Sequence, residues 1–425
     1  MSDAGTAANT TMPETSVTKR RLRIAVVTET YPPEVNGVAQ TIAKVVEGLC
    51  AEGHELTLVR PSQGEPLNKI PQTGVSQVFV TGVPVPRYGQ LKMGLPAMNR
   101  LTRLWRAQRP DVVHIVTEGP LGLSALAAAQ RLGLPIASEF RTNFHTYCRH
   151  YGLGWLTRPI LGYLRWFHNR TSCTMVPTRA LADELTAQGF DNLCVVARGV
   201  DTTRFDPAKR SAELRAAWGA TPDTLVALYV GRLADEKNIP VVLNAFEQMQ
   251  KVRPDSRLVL VGDGPARAAL QRRCPAAVFA GVRKGEELAR HYASGDVFLF
   301  PSLTETFGNV TPEALASGLA VLAFNHAAAS ELITHGDNGL RASAGDHAEF
   351  IRHAVDLARR ASELHPMRRQ ARASVLRLSW PRIIGDIEQV YTALRKPAVH
   401  ESVHKAEESF PTPNQADLAL RQART

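Results

Sequence analysis

Two glutamates separated by seven intervening residues stand in the most informative stretch of the sequence. Glu305 and Glu313 lie within Pro301–Gly318, which separates a predicted strand from a predicted helix. Gly308 allows backbone amides to approach a ligand closely, and Pro312 suits the first turn of a helix. Because N–H groups at a helix start point towards bound oxygen atoms, the loop is suited to a phosphorylated sugar.

A pair of carboxylates also raises the possibility of a glycosidase, in which two acids flank one bond. Here Glu305 lies in the loop and Glu313 in the first helical turn, so the two need not face the same bond. Each carboxylate is better suited to accepting hydrogen bonds from hydroxyl groups. For Glu313, a simple interaction with the helix dipole is the alternative.

A second stretch, Val230–Asn238, places Arg232 and Lys237 just beyond the carboxyl end of a predicted strand. Fixed cations at that point can stabilise the charge that a nucleotide diphosphate gains as it departs, without a metal. The chain contains no Asp-x-Asp sequence, which argues against a metal-bridged donor, and we predict no cofactor. A surface salt bridge is the alternative for this motif.

Further candidate residues follow strands in the N-terminal half. Pro32–Val38 turns tightly before a predicted helix, whose amino end at Gly37 could meet donor phosphates, although a plain turn would have the same sequence. His145 lies in the polar stretch Glu139–Tyr147, directly after a strand. A lone histidine is more often structural than catalytic.

Two series of apolar strands alternating with helical segments position these residues. The near-continuous apolar run Leu22–Thr28 is typical of a parallel sheet covered on both faces, and a second such series begins at Thr224. The alternation predicts an α/β protein with two Rossmann-like, doubly wound domains that face each other across a cleft. We predict five segments along the chain. They are a disordered N-terminal tail (1–20), an N-terminal acceptor domain (21–197), a C-terminal nucleotide-sugar donor domain (198–380), a C-terminal helix (381–395) and a disordered tail (396–425).

The sequence resembles a known enzyme family. The Glu305-x7-Glu313 string, the G-R-L-x-x-E-K-N string at Gly231–Asn238 and the V-G-D-G-P string at Val261–Pro265 are similar to those of retaining group 1 glycosyltransferases, which form family 4 and have the GT-B fold. The resemblance extends from about Arg21 to Arg395. It is strongest to the subgroup of GDP-mannose-dependent α-mannosyltransferases and glycolipid synthases.

The resemblance implies roles for individual residues. It places Arg232 and Lys237 on the donor diphosphate, Glu313 on the ribose, and Glu305 on the donor sugar. It places His145 beside the reacting sugar, which reverses the structural interpretation of that histidine. The implied catalytic set is His145, Glu305, Arg232 and Lys237, and the implied donor-binding set is Gly37, Arg232, Lys237, Gly262, Val282, Glu305, Phe307, Gly308, Asn309 and Glu313.

The implied reaction transfers a hexose, with mannose or glucose favoured, from a nucleotide-diphosphate sugar to an acceptor hydroxyl with retention of configuration. No carboxylate is placed convincingly as a covalent nucleophile, which favours substitution on the front face of the sugar. A membrane glycolipid is the favoured acceptor, and a polysaccharide or a small molecule remains open. The acceptor candidates are Tyr88, Glu118, Asn143 and Tyr147.

The net charge of +10 is compatible with nucleic acid, an anionic membrane or an anionic small ligand. Trp155–Arg170 interleaves aromatic residues with cations and could rest on anionic lipid, although a helix with one core face would look the same. No nucleic-acid-binding motif accompanies the charge, so we predict no nucleic-acid partner. Two further alternatives are a sugar-nucleotide epimerase of similar architecture and a basic nucleic-acid-binding protein, and the charge is the sole support for the latter.

The remaining features predict location. The five cysteines contain no C-x-x-C pair, and neither a disulfide framework nor a zinc site is expected. The polar N-terminal stretch is not a signal peptide, and no run of about 18 apolar residues predicts a transmembrane helix. We therefore expect a cytoplasmic protein that can contact the inner face of the membrane peripherally.

Overall fold

The computed structural model describes residues 21–34, 36–64, 74–85, 88–141 and 157–395, with backbone alone at 85 and 88–91. Residues through Arg395 belong to one compact unit. The predicted tails at 1–20 and 396–425 lie outside the described residues. Two parallel sheets, covered by helices, carry the described part of the chain.

The N-terminal half is built on a seven-stranded parallel sheet. Its strands are β1 (Arg23–Val27), β2 (Glu55–Pro61), β3 (Val75–Val80), β6 (Val112–Ile115), β7 (Ile136–Glu139), β8 (Cys173–Val176) and β9 (Leu193–Val195). A hairpin of β4 (Gly82–Val85) and β5 (Tyr88–Gly94) lies beside it. The sheet order is β3-β2-β1-β6-β7-β8-β9. The helices are α1 (Gly37–Ala51), α2 (Met98–Ala107), α3 (Pro120–Arg131), α4 (Thr157–His168) and α5 (Arg179–Ala187).

The C-terminal half repeats this plan with six parallel strands. They are β10 (Val226–Val230), β11 (Arg257–Val261), β12 (Val278–Gly281), β13 (Val297–Phe300), β14 (Ala320–Phe324) and β15 (Gly339–Ala342), in the order β12-β11-β10-β13-β14-β15. Its helices are α6 (Ala212–Ala217), α7 (Ile239–Val252), α8 (Arg267–Arg273), α9 (Gly285–Ser294), α10 (Val310–Ala316), α11 (Ala328–Leu332), α12 (His347–Arg359) and α13 (Leu364–Val375). The strand order reverses between β10 and β13, where doubly wound sheets open a ligand crevice.

The predicted architecture of two Rossmann-like domains is confirmed, and the apolar runs that begin at Leu22 and Thr224 form β1 and β10, which start within two residues of those positions. The strands β3, β8, β9 and β15 and the hairpin were not predicted from the sequence. The apolar signal is weak in β9, which has three residues with no fully buried side chain, and in β15, which is short and contains an arginine.

The last helix, α14 (Trp380–Arg395), follows the C-terminal half in sequence but packs on the N-terminal half. It buries Ile383, Ile384, Ile387 and Tyr391 in the same core cluster as the apolar side chains of β1 and α1. Gly48 of α1 permits this contact, because a Cβ there would lie 2.5 Å from Cγ1 of Ile384. The chain thus crosses between the halves twice.

One expectation about cysteine chemistry is wrong. Cys173 on β8 and Cys194 on β9 form a disulfide, with their Cα atoms 6.6 Å apart. Cysteine spacing in the sequence could not reveal this pair, because it arises from the adjacency of two short parallel strands, neither of which was predicted.

We predict that Ile384→Ala lowers the free energy of unfolding by about 2–5 kcal/mol, because it opens a cavity between α14 and α1. Urea unfolding, followed by circular dichroism, measures the change. Gln389→Ala, on the exposed face of the same helix, is the matched control and leaves stability nearly unchanged. Equal unfolding midpoints for the two variants would show that α14 does not contribute to the core.

Candidate active site

The amino ends of two helices meet between the two sheets. Gly37 begins α1 in the N-terminal half, and Asn309 immediately precedes α10 in the C-terminal half. The side-chain amide of Asn309 donates to Oγ1 of Thr41 at 3.4 Å, and a Cβ on Gly37 would lie 3.8 Å from that amide nitrogen. Because helix amino ends carry partial positive charge, their convergence suits an anion.

Lys237 and Glu305 form an ion pair beside these helix ends. Lys237 closes a short 3-10 turn after β10, and Glu305 lies in the loop after β13, which is the neighbouring strand. Nζ of Lys237 lies 2.5 Å from Oε1 of Glu305, and Ser302 donates to the same oxygen at 3.0 Å. The structure therefore brings together the two motifs that the sequence analysis placed at the donor.

Arg232, the other predicted phosphate ligand, follows the same strand as Lys237. Its guanidinium is nearly half exposed and lies 3.7 Å from the buried carboxylate of Glu236. The salt bridge orients Arg232 at the edge of the loop while leaving part of the guanidinium accessible to an anionic ligand.

The loop from Glu305 to Asn309 has a fixed backbone. Gly308 has a φ of +83°, a conformation that favours glycine, and the Phe307 side chain is buried beneath the loop. The Phe307 carbonyl accepts from the Ala328 amide at 2.8 Å, and Nε2 of His326 donates to the Glu305 carbonyl at 3.0 Å. The sequence analysis missed His326, because it lies after the next strand and carries no motif.

Gly262 and Val282 belong to the donor-binding set that the family resemblance implies. Gly262 has a φ of +137°, and a Cβ there would lie 1.9 Å from the carbonyl oxygen of Gly231. The glycine is therefore required by close packing of the loops after β10 and β11. Val282 follows β12 with a side chain that is 58% exposed, so it is available to a ligand.

Glu313 is in an environment unlike that of Glu305. Its Oε2 accepts a hydrogen bond from the Tyr292 hydroxyl at 2.9 Å. Burial raises the pKa of Glu313 to about 7, and the opposing effects of Tyr292 and the positive charge of Arg204 do not outweigh it. The two glutamates of the motif therefore have different partners: Lys237 for Glu305 and Tyr292 for Glu313.

The structure describes only part of the predicted acceptor site. The described residues do not include Asn143, His145 and Tyr147. Tyr88 is the first residue of β5, and only its backbone is described. Glu118 is buried, with its Oε1 3.2 Å from Nε2 of His168. This contact gives Glu118 a structural role, and its contact with an acceptor stays a prediction.

Comparison with known proteins identifies the family. A family model described as Glycosyltransferase Family 4 matches residues 35–204, and one described as Glycosyl transferases group 1 matches residues 224–360. The GDP-mannose-dependent alpha-mannosyltransferase of Mycobacterium tuberculosis (strain CDC 1551 / Oshkosh) is 37% identical over 379 residues, which are 88% of this chain and 97% of that protein. The chain belongs to the group 1 glycosyltransferases.

Two further similarities extend this finding. The alpha-monoglucosyldiacylglycerol synthase of Acholeplasma laidlawii is 27% identical to the glycosyltransferase over 83% of this chain and 92% of its own. The structure of Anabaena HepE in complex with UDP superposes with a TM-score of 0.70 at 18% identity, covering 88% of this chain and 100% of that one. The predicted GT-B fold is confirmed.

Within the described ranges, no helix of the glycosyltransferase is long and apolar enough to cross a membrane. The same residues contain no group of three histidine, cysteine or acidic side chains placed to hold a metal ion.

We predict that Glu313→Gln stabilises the protein at pH 8 by up to about 3 kcal/mol, since each pKa unit corresponds to about 1.4 kcal/mol. The folded protein holds the Glu313 proton up to about pH 7, whereas the unfolded chain releases it near 4.5. The contribution of Glu313 to the free energy of unfolding is therefore fully present below pH 4.5 and is lost as the pH rises through 7.

Urea unfolding at several pH values measures this difference between Glu313→Gln and the wild type. Glu247→Gln, exposed on α7, is the control and measures the effect of removing a surface carboxylate. If the difference in unfolding free energy between Glu313→Gln and the wild type were the same at pH 5 and at pH 8, the raised pKa would be contradicted.

Proposed function

We propose that this glycosyltransferase transfers a hexose from a nucleotide-diphosphate sugar to a hydroxyl group of a membrane glycolipid, with retention of configuration and without a metal. The observation that carries the proposal is the Lys237–Glu305 ion pair beside the converging amino ends of α1 and α10. GDP-mannose is the favoured donor, because the 37% identical relative is named for it.

The site suits each part of such a donor. The diphosphate lies between Gly37 and Asn309, where Lys237 turns from Glu305 to a phosphate oxygen and Arg232 adds a second cation. Glu305 then accepts hydrogen bonds from the sugar hydroxyls. Glu313 accepts hydrogen bonds from the ribose, which favour its ionised form and offset the cost of its burial.

The chain's own groups support a front-face substitution. The acceptor oxygen bonds to the anomeric carbon on the face from which the diphosphate departs, while the bond from that carbon to the phosphate oxygen breaks. The acceptor proton passes to the departing phosphate. Lys237, Arg232 and the amides at the helix starts stabilise the negative charge that develops there, and His145 orients the sugar.

A face of α4 supports contact with a membrane. Trp166 is 41% exposed and Tyr163 is 37% exposed, and the guanidinium of Arg170 lies 4.4 Å from the centre of the Trp166 ring. Exposed aromatic rings beside cations are typical of helices that rest on anionic lipid. The relative named as a diacylglycerol glycoside synthase supports a lipid acceptor.

Donor and metal dependence are tested together. Purified protein is incubated with GDP-mannose or UDP-glucose and a lipid extract, with and without EDTA, and release of nucleotide diphosphate and formation of glycolipid are measured. We expect release that depends on lipid and resists EDTA. Loss of all transfer in EDTA, with recovery on adding a divalent cation, would contradict the metal-independent proposal.

The ion pair is tested by Glu305→Gln and Lys237→Met, which we expect to lower kcat by about a hundredfold or more, because each removes a charge at the reacting centre. Lys251→Met, on the exposed face of α7, removes the same charge outside the site and serves as the control. If all three variants turn over GDP-mannose or UDP-glucose at similar rates, the ion pair does not belong to the reacting centre.

Membrane contact is tested by Trp166→Ser, which we expect to weaken cosedimentation with vesicles rich in phosphatidylglycerol by at least about threefold. Leu376→Ser removes an apolar side chain of the C-terminal half that is at least as exposed, and it leaves vesicle binding unchanged. Equal vesicle binding by the two variants would exclude α4 as the contact face.

A further inference from the structure

Two arginines lie side by side behind the donor-binding loop. Arg141 follows β7 and is 6% exposed, and Arg198 follows β9 at the start of the linker between the halves. Both line a cavity of the N-terminal half, together with Thr41 and Trp380. Glu139 is the sole carboxylate among the described residues that line this cavity, so two guanidinium groups share one negative charge.

Glu139 already has two partners. Nε2 of His114 lies 2.8 Å from one of its oxygens, and Nε of Arg141 contacts the other. Burial alone would raise the pKa of Glu139, but the charges of Arg141 and His114 outweigh it and lower the pKa to about 2. Glu139 is therefore ionised and fully engaged, and Arg198 has no carboxylate within 4 Å among the described residues.

Arg198 instead reaches the loop that contains Glu305. Its guanidinium carbon lies 5.6 Å from the centre of the buried Phe307 ring, within range of a cation–π interaction. Burial and the neighbouring charge of Arg141 lower the pKa of Arg198 to about 9, opposed by Glu139 and Glu305, so the group remains a cation at neutral pH. Glu305 thus lies within the electrostatic reach of Arg198.

The backbone beneath Arg198 is held firmly. A Cβ on Gly199 would lie 2.6 Å from the ring of Trp380, and the amide of Val200 donates to the carbonyl of Leu378 at 2.9 Å. The linker is therefore fixed against the start of α14, and the guanidinium projects from a rigid base.

We propose that Arg198 is a positioning residue for glycosyl transfer, which holds the donor-sugar loop through Phe307 and supplies the counter-charge of Glu305 when Lys237 turns to the diphosphate. This inference rests on the proposed role of Glu305 at the donor sugar. Without Arg198, Glu305 would lose its cation as the donor binds, and a half-buried carboxylate without a cation would turn towards water. Because Arg141 pairs with Glu139, the guanidinium of Arg198 interacts with the loop at Phe307 instead.

The test is a double-mutant cycle with Arg198→Met and Glu305→Gln in the full-length enzyme, with GDP-mannose or UDP-glucose as the donor. We expect Arg198→Met to lower kcat/KM for the nucleotide-sugar donor by about tenfold or more, because the loop that contains Glu305 and Phe307 is then misplaced. The Kd of the free nucleotide diphosphate changes less than about threefold, because its phosphates bind elsewhere. In the Glu305→Gln background, Arg198→Met has little further effect.

Two variants complete the experiment. Arg198→Lys keeps the charge but loses the planar stacking, so it recovers part of the lost activity. Arg360→Met, an exposed arginine of the donor half, controls for the change in net charge and leaves kcat/KM unchanged. Thermal unfolding confirms that each variant is folded.

Additive losses of kcat/KM in the double mutant would overturn the proposal and leave Arg198 a structural role. So would an Arg198→Met variant that binds free nucleotide diphosphate more weakly by the same factor as its loss of kcat/KM. That result is distinct from failure of the proposed function, in which Glu305→Gln alone would be as active as the wild type. A fully active Arg198→Met would also overturn the positioning role while leaving the assignment of Glu305 intact.

Discussion

Neighbouring parallel strands end at the same edge of a sheet, and this constraint places Lys237 against Glu305. Lys237 follows β10 and Glu305 follows β13, and these two strands pair at the point where the strand order of the donor sheet reverses. Side chains far apart in sequence therefore meet in the crevice without any special local structure. The rest of the site is arranged around this pair, including the helix ends that meet at Asn309 and the arginine beneath Phe307.

The two glutamates of the motif are chemically different because their surroundings differ. Glu305 has a lysine at hydrogen-bond distance, whereas Glu313 has a tyrosine hydroxyl and a buried setting that raises its pKa to about 7. Glu313 is thus held near half ionisation at neutral pH. A ligand that brings both phosphates and hydroxyl groups would satisfy the two environments at once.

The sequence predicted those features that depend on local pattern. Continuous apolar runs predicted the strands that carry the site, and the spacing of Glu305, Gly308 and Glu313 predicted a loop that leads into a helix. The docking of α14 on the N-terminal half and the pairing of Cys173 with Cys194 could not be predicted, because both depend on contacts between distant segments. Arg198 gave no signal either, since its position under Phe307 follows from how the linker packs on Trp380.

The proposed site requires the Lys237–Glu305 pair to open when a nucleotide diphosphate binds between the two helix starts. A crystal structure of the enzyme with bound GDP or UDP would reveal this opening. We expect a diphosphate beside Gly37 and Asn309, with Nζ of Lys237 about 3 Å from a phosphate oxygen and no longer on Glu305. A diphosphate bound away from this edge, or one bound while the ion pair stays closed, would contradict the proposed site.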